Sequence, residues 1–287
     1  MKTTNAFGLE IPAPAEMLCD LKLKGVIKST LESVLGHFEV ADPAKATAKI
    51  LMIASEAKTQ EEYESHGHEV LKKYGVIAQV SKKRAGRSQL ACEQVAPHVI
   101  GKAVLDLGCG NGEIGLCLKR KCKQVTLADV YEHPNIKNLK MPFTLLHQEK
   151  PIPFESNSFD TTLLVAVLHH SDFPKQTCAE AYRVTKPNGK VVVIETVYGL
   201  PPEKFHGLND EQQRRFNVFV DHFSNRVVQY ATDPTKRINC PYNFQTPQGW
   251  KKTFSDLGFV EEKMMHLGFD QPAVMEYHTL HVLRVKK

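Results

Sequence analysis

The stretch that most constrains the fold is Val104–Gly115, where a short apolar run, a carboxylate and four closely spaced glycines follow one another. The apolar run predicts a buried strand, the glycines a tight turn, and the residues after them the start of a helix. Glycine permits positive φ angles and lets a ligand approach the backbone closely. A strand, a glycine loop and a helix in this order are typical of a nucleotide-type cofactor site.

The glycine spacing argues against a dinucleotide. The glycines stand at 108, 110, 112 and 115, whereas the third glycine of G-x-G-x-x-G would be residue 113, which is Glu113. Asp106 would also repel a pyrophosphate. A carboxylate suits a positively charged cofactor without phosphate, such as S-adenosylmethionine (SAM), which has a sulfonium and an ammonium group. The alternative is an ordinary strand, turn and helix with no ligand.

The run D-L-G-C-G-N-G resembles the signature loop of class I SAM-dependent methyltransferases. This resemblance implies SAM as the cofactor, S-adenosylhomocysteine as its product, and no metal. It also implies a set of cofactor-binding residues in the loop. They are Asp106, Gly108, Cys109, Gly110 and Asn111.

A second acidic residue follows the next predicted strand. The strand covers Gln124 to Ala128 and ends at Asp129, about twenty residues after Asp106, where an acidic side chain can accept hydrogen bonds from both ribose hydroxyls of an adenosine. We therefore place Asp129 and its neighbour Val130 in the cofactor site. A simple turn aspartate is the alternative.

A further resemblance covers the third and fourth strands, predicted at Thr144–Leu146 and Thr161–Leu168. The passages P-I-P-F, S-F-D and L-H-H resemble methyltransferases of the ubiquinone/menaquinone biosynthesis type. In that family an aspartate before L-P-F accepts from the adenine amino group. Here that position is Gln148, with Glu149 beside it, so either can make the contact. We also assign Ala166, near the end of the fourth strand, to the cofactor site.

Strands and helices alternate from residue 103 to a fifth strand at Lys190–Glu195, preceded by a helix at Pro174–Val184 and a turn at Lys186–Gly189. Two later β-like runs, Phe259–Leu267 and His278–Val285, have too short a link for a crossover helix and should pair antiparallel.

We therefore expect an α/β fold: a Rossmann-like, seven-stranded, mostly parallel sheet with one antiparallel strand. Residues 1–96 are expected to form an N-terminal helical cap. Two of its helices are predicted to begin at Asp42-Pro43 and at Thr59. Residues 97–287 would form the methyltransferase domain. Within it, residues 198–245 would be an inserted helical lid.

The lid insertion is long enough to indicate a function, since long loops in compact domains commonly cover substrates. Phe219, Phe223 and Tyr230 share one helix face, and His222 can lie off it. We expect these four residues to bind an aromatic or apolar substrate. Packing of this helix onto the domain, or onto a second copy in a homodimer, is an equally weighted alternative.

Three histidines are candidates for catalysis. His169 and His170 follow the fourth strand at the carboxyl edge of the sheet, where open α/β folds place their chemistry, and His222 comes from the lid. A histidine can remove a proton from a methyl acceptor near neutral pH. For His169 a packing role is somewhat favoured, whereas for His170 both roles stay open. Alignment of the reactants alone can also supply most of the rate.

Two local patterns have plainer interpretations. His66-Gly67-His68 could suggest a metal, but no other ligand cluster is nearby in sequence, and a solvated helix face is favoured. The basic run Lys82–Arg87 could contact RNA or the SAM carboxylate. A charged connecting loop is preferred.

The composition and the cysteines indicate the cellular compartment in which we expect the protein. The 287 residues are 42% hydrophobic and 24% charged with net charge +5, as in a globular protein with a substantial core. There is no apolar run of membrane-spanning length and no apolar signal core at the N-terminus, so we expect a cytoplasmic protein. The seven cysteines are odd in number and include no C-x-x-C, which predicts reduced thiols.

The sequence thus predicts a methyltransferase that moves a methyl group from SAM to a small aromatic or apolar acceptor. An RNA methyltransferase is one alternative, supported only by charge and the 82–87 run. The N/D-P-P-Y/F motif of amino-directed base methyltransferases is replaced by Leu168-His169-His170, and no RNA-binding module is recognisable. A catalytically silent SAM-binding protein is another, because binding residues alone do not prove turnover.

Overall fold

The computed structural model describes residues 3–119, 124–147, 150–269 and 275–287, without the side chains of 81–85. Contacts divide the chain into two compact units. The helical unit comprises Met1–Ala85, Val197–Thr246 and Phe269–Tyr277. The sheet unit comprises Gly86–Thr196, Pro247–Gly268 and His278–Lys287. The domain boundary at residues 96 and 97 stays a prediction, while the contacts group the lid insertion with the N-terminal helices.

The described residues of the sheet unit form a seven-stranded sheet in the order β3-β2-β1-β4-β5-β7-β6. The strands are β1 Ala103–Leu107, β2 Gln124–Asp129, β3 Phe143–Leu145, β4 Phe159–Val165, β5 Thr185–Thr196, β6 Phe259–Gly268 and β7 His278–Val285. Strands β1 to β5 pair in parallel, and β7 runs antiparallel to both β5 and β6. The predicted Rossmann-like sheet with one antiparallel strand is confirmed.

The helices begin and end close to the sequence signals for them. They are α1 Pro14–Met17, α2 Leu21–His37, α3 Pro43–Glu56, α4 Gln60–Lys73, α5 Val80–Val95, α6 Glu113–Lys119, α7 Ile136–Leu139, α8 Pro174–Val184, α9 Asp210–His222 and α10 Pro247–Asp256. Asp42 accepts from Lys45 N and Thr59 from Glu62 N, so both predicted helix starts are confirmed. Asn209 and Gln212 form a reciprocal capping box at α9.

The core of the sheet unit is built from the buried faces of its central strands. Val104, Leu127, Leu163 and Val192 are each fully buried and belong to one apolar cluster. Burial on both faces explains the continuous apolar runs by which the central strands were predicted. Because β1, β2, β4 and β5 pair in parallel, their carboxyl ends lie along one edge of the sheet, and the candidate site lies at that edge.

Several predicted boundaries need correction. The fourth strand was expected at Thr161–Leu168, but β4 ends at Val165 because Ala166 adopts a positive φ of 56°. A short 3-10 turn, Leu168–His170, follows. The turn at Lys186–Gly189 falls inside the element assigned as β5. The pairing with β4 nonetheless jumps from Thr185 to Lys190, so these four residues leave the ladder.

The expectation of reduced thiols is wrong for one pair. Cys92, near the end of α5, and Cys117, in α6, form a disulfide. Spacing alone could not reveal this pair, since 25 residues separate the two cysteines and only the fold brings their helices together. Cys19, Cys109, Cys178 and Cys240 are free thiols.

In the described residues, every helix is too short or too polar to span a bilayer.

Candidate cofactor site

The glycine loop after β1 is shaped by close backbone approach. The amide of Gly108 donates to the carbonyl of Ala128 over 2.7 Å, which ties the loop to the end of β2. Gly108 has a φ of +77°, and a Cβ added there would stand 2.4 Å from Cγ2 of Val167. At Gly110, with a φ of +54°, an added Cβ would meet no atom within 4 Å. The loop is therefore crowded at Gly108 and open at Gly110.

Asp129 holds the open part of this loop. Its Oδ2 accepts from the amide of Gly110 at 2.8 Å, and its Oδ1 accepts from the amide of Tyr131 at 3.2 Å. Burial raises the pKa of Asp129, and the amides of Gly110, Tyr131 and Val130 partly offset this. Val130 and Tyr131 beside it are 48% and 47% exposed, so two large apolar side chains border the acidic group. This arrangement resembles an adenosine site with a ribose acceptor and an apolar margin.

Asp106 has a different environment. It is 2% exposed, and its Oδ2 has no hydrogen-bond partner among the described residues. Burial, and then the charge of Asp129, raise its pKa to about 7, and the backbone amide of Gly115 offsets this only in part. A buried carboxylate with an unsatisfied oxygen is costly, and a cation beside it would remove much of that cost. The two aspartates and the open glycine loop therefore fit a cofactor that has ribose hydroxyls and positive charge.

The turn after β4 lies at the same edge of the sheet as the glycine loop. Glu195, fully buried at the end of β5, accepts from the amides of Val167 and Leu168 at 2.9 and 2.6 Å through Oε1. Its Oε2 lies 2.6 Å from Nδ1 of His169. One carboxylate thereby fixes the turn after β4 and the orientation of His169. Sequence reasoning missed Glu195, although a carboxylate ending an apolar strand was a usable signal.

The comparisons with known proteins agree with this geometry. Residues 105–193 match the model of a family described as methyltransferase domain. The chain therefore contains a class I methyltransferase domain. The matched residues begin in β1 and end in β5, so they cover the glycine loop, Asp129 and the end of β4.

Two curated relatives resemble this methyltransferase domain. The ubiquinone/menaquinone biosynthesis C-methyltransferase of Rickettsia felis is 31% identical over 109 residues, which are 32% of this chain and 43% of that protein. The ubiquinone biosynthesis O-methyltransferase of Nitrosococcus oceani is 28% identical over 112 residues, 36% of this chain and 48% of that protein. The chain thus spans less than half the length of these relatives.

Solved structures share the fold. A SAM-dependent methyltransferase from Thermotoga maritima superposes with a TM-score of 0.51 at 17% identity, covering 78% of this chain and 99% of that one. A methyltransferase from Bacillus halodurans gives 0.50 at 16% identity, covering 69% and 98%. At such identities the likeness concerns the fold alone.

The other residues predicted in the glycine loop differ in their local contacts. Asn111 accepts from the amide of Glu113 through Oδ1 at 3.2 Å and so starts α6. Cys109 is 7% exposed, and burial raises the pKa of its thiol, which makes it a packing residue of the loop. Gln148 and Glu149, predicted at the adenine, lie outside the described residues, as do the side chains of 82–85 in the basic run.

His169 and His170 lie in the turn after β4, with ring centroids 4.2 Å apart. His169 is 3% exposed and held by Glu195, whereas His170 is partly buried. The contact with Glu195 gives His169 a structural partner, which favours its packing role over that of a base. A catalytic role for His170 stays a prediction.

The predicted substrate residues lie in the helical unit. Phe219 and Phe223 are 0% and 1% exposed, and Phe219 packs beside Tyr63 with ring centroids 6.2 Å apart. Tyr230 donates its hydroxyl to Glu61 at 2.6 Å and lies under the guanidinium of Arg237. Their binding roles stay predictions, and their contacts favour the packing alternative. His222 is 3% exposed, and its Nδ1 lies 2.6 Å from the Tyr242 hydroxyl; its catalytic and binding roles stay predictions.

Proposed function

We propose that this protein transfers a methyl group from SAM to a small-molecule acceptor of aromatic or apolar character. The observation that supports this most strongly is the buried carboxyl of Asp106, whose Oδ2 has no hydrogen-bond partner among the described residues, beside a glycine loop held open by Asp129. A phosphate-bearing cofactor would be repelled there, whereas a sulfonium and an ammonium group would be attracted.

Each residue of the site has a task in this proposal. Asp129 would accept hydrogen bonds from the ribose hydroxyls while it keeps the amide of Gly110 in place. Asp106 would offset the positive charge of the cofactor. When bound, SAM supplies an electrophilic methyl group, and the protein's task is to align the acceptor with it. Glu195 would keep the turn that contains His169 and His170 in a fixed position.

The acceptor class is supported by the relatives. By their names, one acts as a C-methyltransferase in ubiquinone/menaquinone biosynthesis and the other as an O-methyltransferase in ubiquinone biosynthesis. Because the two differ in the atom that they methylate, we infer the class of acceptor from them and not the atom. The absence of a metal requirement and a cytoplasmic location are further parts of the proposal, as is a homodimer.

The experiment is to incubate the full chain with methyl-labelled SAM and a fractionated cell extract. We expect label in the low-molecular-weight or lipid fraction, from which the product can be identified. Label that nucleases or proteases release would contradict the small-molecule acceptor. Bound SAM with no transferred label, in extracts from several sources, would instead favour the silent binder.

A further inference from the structure

The disulfide of the sheet unit joins the helix that follows the glycine loop to a second helix. Cys92 lies near the end of α5, Cys117 lies in α6, and both belong to the sheet unit. Their Cα atoms are 6.4 Å apart, within the range that a disulfide spans without backbone movement. The bond can therefore form between the two helices in the positions in which the fold packs them.

The first turn of α6 is hydrogen-bonded directly to the glycine loop. The amide of Leu116 donates to the carbonyl of Gly112 at 3.0 Å. The amide of Glu113 donates to Oδ1 of Asn111 at 3.2 Å. Because the loop supplies both acceptors, the position of α6 and the conformation of the loop depend on each other.

The helix α6 also packs closely against Asp106. A Cβ added at Gly115 would stand 2.4 Å from Cδ2 of Leu127 and 3.2 Å from Oδ2 of Asp106, so there is no spare room at this contact. Cys117 follows Gly115 in the same helix. A movement of α6 would therefore disturb Asp106 as well as the loop, and the disulfide restricts that movement.

The helix α6 is too short to be stable by itself. It has seven residues, Glu113–Lys119, and helices of this length depend on tertiary contacts in water. Leu118 supplies such a contact, since it is fully buried in the apolar cluster that also contains Cys92 and Val125. The covalent bond to α5 is added to this packing and removes freedom that a seven-residue helix would otherwise keep.

The two sulfurs of the disulfide differ in their access to a thiol from solution. Cys92 is 1% exposed, whereas Cys117 is partly buried beside Leu116, which is 39% exposed. An attacking thiolate therefore reaches Cys117 first. Cys109, in the glycine loop, is 7% exposed, and burial raises the pKa of its thiol, which keeps it protonated and unreactive.

We propose that Cys92 and Cys117 form a thiol–disulfide exchange site that sets the affinity of the glycine loop for its cofactor. The proposal rests on the proposed function and adds the regulation of the same site. The reactants are low-molecular-weight thiols and disulfides, such as glutathione and its oxidised form. With the bond closed, α6 is anchored and the loop binds SAM tightly; with the bond open, the loop binds SAM more weakly. In the cytoplasmic location proposed above, a disulfide is typically transient and redox-sensing.

Reduction consumes two thiols and releases one disulfide. A thiolate attacks Sγ of Cys117, the sulfur–sulfur bond breaks, and its electron pair leaves on Sγ of Cys92, which takes up a proton. A second thiolate attacks the small molecule's sulfur in the mixed disulfide. The oxidised small molecule departs, and the electron pair stays on Sγ of Cys117, which also takes up a proton. Oxidation follows the same steps in reverse, with the low-molecular-weight disulfide as the oxidant.

The first test follows amide hydrogen exchange in the full chain without SAM, oxidised and then reduced with glutathione. Reduction should speed exchange at residues 108–119 by at least about fivefold more than in α10, which lies in the same unit. A general loss of stability would speed both alike. Cys92→Ala/Cys117→Ala should exchange like the reduced protein in either buffer. Cys122→Ala is the matched control, since Cys122 follows α6 in the sequence and lies outside the described residues; it should keep the response.

The second test is calorimetric titration of SAM on the same samples. The oxidised protein and oxidised Cys122→Ala should bind SAM at least about fivefold more tightly than their reduced forms, and Cys92→Ala/Cys117→Ala should bind it with one affinity in both buffers. Because such coupling is reciprocal, saturating SAM should favour the disulfide by the same factor. Alkylation of free thiols in a series of glutathione buffers, followed by mass spectrometry, measures that factor.

Equal SAM affinity of the oxidised and reduced proteins would overturn the proposal. Equal acceleration of exchange in the loop and in α10 would also overturn it, as would a response that Cys122→Ala abolishes. Binding of SAM by neither redox state would contradict the proposed function alone, because the exchange measurement does not depend on SAM.

Discussion

Asp106 and Asp129 show how two like side chains take different roles through their surroundings. Asp129 accepts two backbone hydrogen bonds and supports the glycine loop. Asp106 has an unpartnered buried oxygen and a pKa of about 7. The types and spacing of both residues could be read from the sequence. Their different environments could not, because burial and mutual repulsion arise only when β1 and β2 lie side by side.

The raised pKa of Asp106 predicts a pH-dependent effect of Asp106→Asn on the protein without ligand. Between about pH 4 and 7 the folded state keeps a proton on Asp106 that the unfolded chain has released, so the unaltered protein loses stability relative to the variant as pH rises through that window. The difference should grow by up to about 4 kcal/mol. Urea unfolding at several pH values measures it, and a difference that is constant with pH would contradict the assignment.

Glu195 is the residue whose loss should damage the site most. Glu195→Ala leaves the amides of Val167 and Leu168 and the His169 ring without their acceptor, so we expect a loss of roughly 3 kcal/mol or more in the free energy of unfolding. Glu195→Gln keeps one carbonyl oxygen for the amides and should cost less. Chemical denaturation of both variants tests this, and equal losses would argue against the amide contacts as the cause.

At the scale of elements, the glycine loop and the capped helices were predictable because their signals are local. A positive φ, a cap or a helix stop depends on a few neighbouring residues. The disulfide between α5 and α6 was not predictable, because Cys92 and Cys117 are distant in sequence and only the fold brings them together. The early end of β4 was also missed, because Ala166 has a positive φ although it is not a glycine, so its residue type does not signal the break.

Replacement by alanine should change the stability in opposite directions at Gly108, in the glycine loop, and at Gly25, in α2. Gly108→Ala combines a φ of +77° with a contact of 2.4 Å to Val167 and should cost about 1–3 kcal/mol of stability. Gly25→Ala lies in α2 with no atom within 4 Å of the new Cβ and should stabilise by about 0.5–1 kcal/mol. Thermal unfolding compares them, and the same sign for both would show that the loop is not constrained as described.

The disulfide links α5 to α6 across a sequence separation of 25 residues. By the entropy of closing such a loop, it should contribute about 3 kcal/mol to the free energy of unfolding. Adding a reductant to the unaltered protein should remove this contribution, and a Cys92→Ala/Cys117→Ala variant should not respond to the reductant. If the two proteins respond alike, the two thiols are not paired in solution.

For the whole molecule, the sheet topology and the methyltransferase family were predictable, since alternating strands and helices with a glycine loop permit few arrangements. The grouping of the lid insertion with the N-terminal helices was not apparent. It depends on contacts such as Arg214 to the carbonyl of Glu10 and Gln212 to Asp20, which join segments about two hundred residues apart.

The central claim, a SAM site built on Asp106, Gly110 and Asp129, is tested most directly by calorimetric titration of SAM. We predict binding by the unaltered protein and a loss of roughly 1–3 kcal/mol in Asp129→Ala, through the missing hydrogen bonds to the ribose and to the loop. Asp256→Ala, which removes an exposed aspartate paired with Lys252, is the matched control and should bind SAM unchanged. Equal affinity of Asp129→Ala and the unaltered protein would contradict the account.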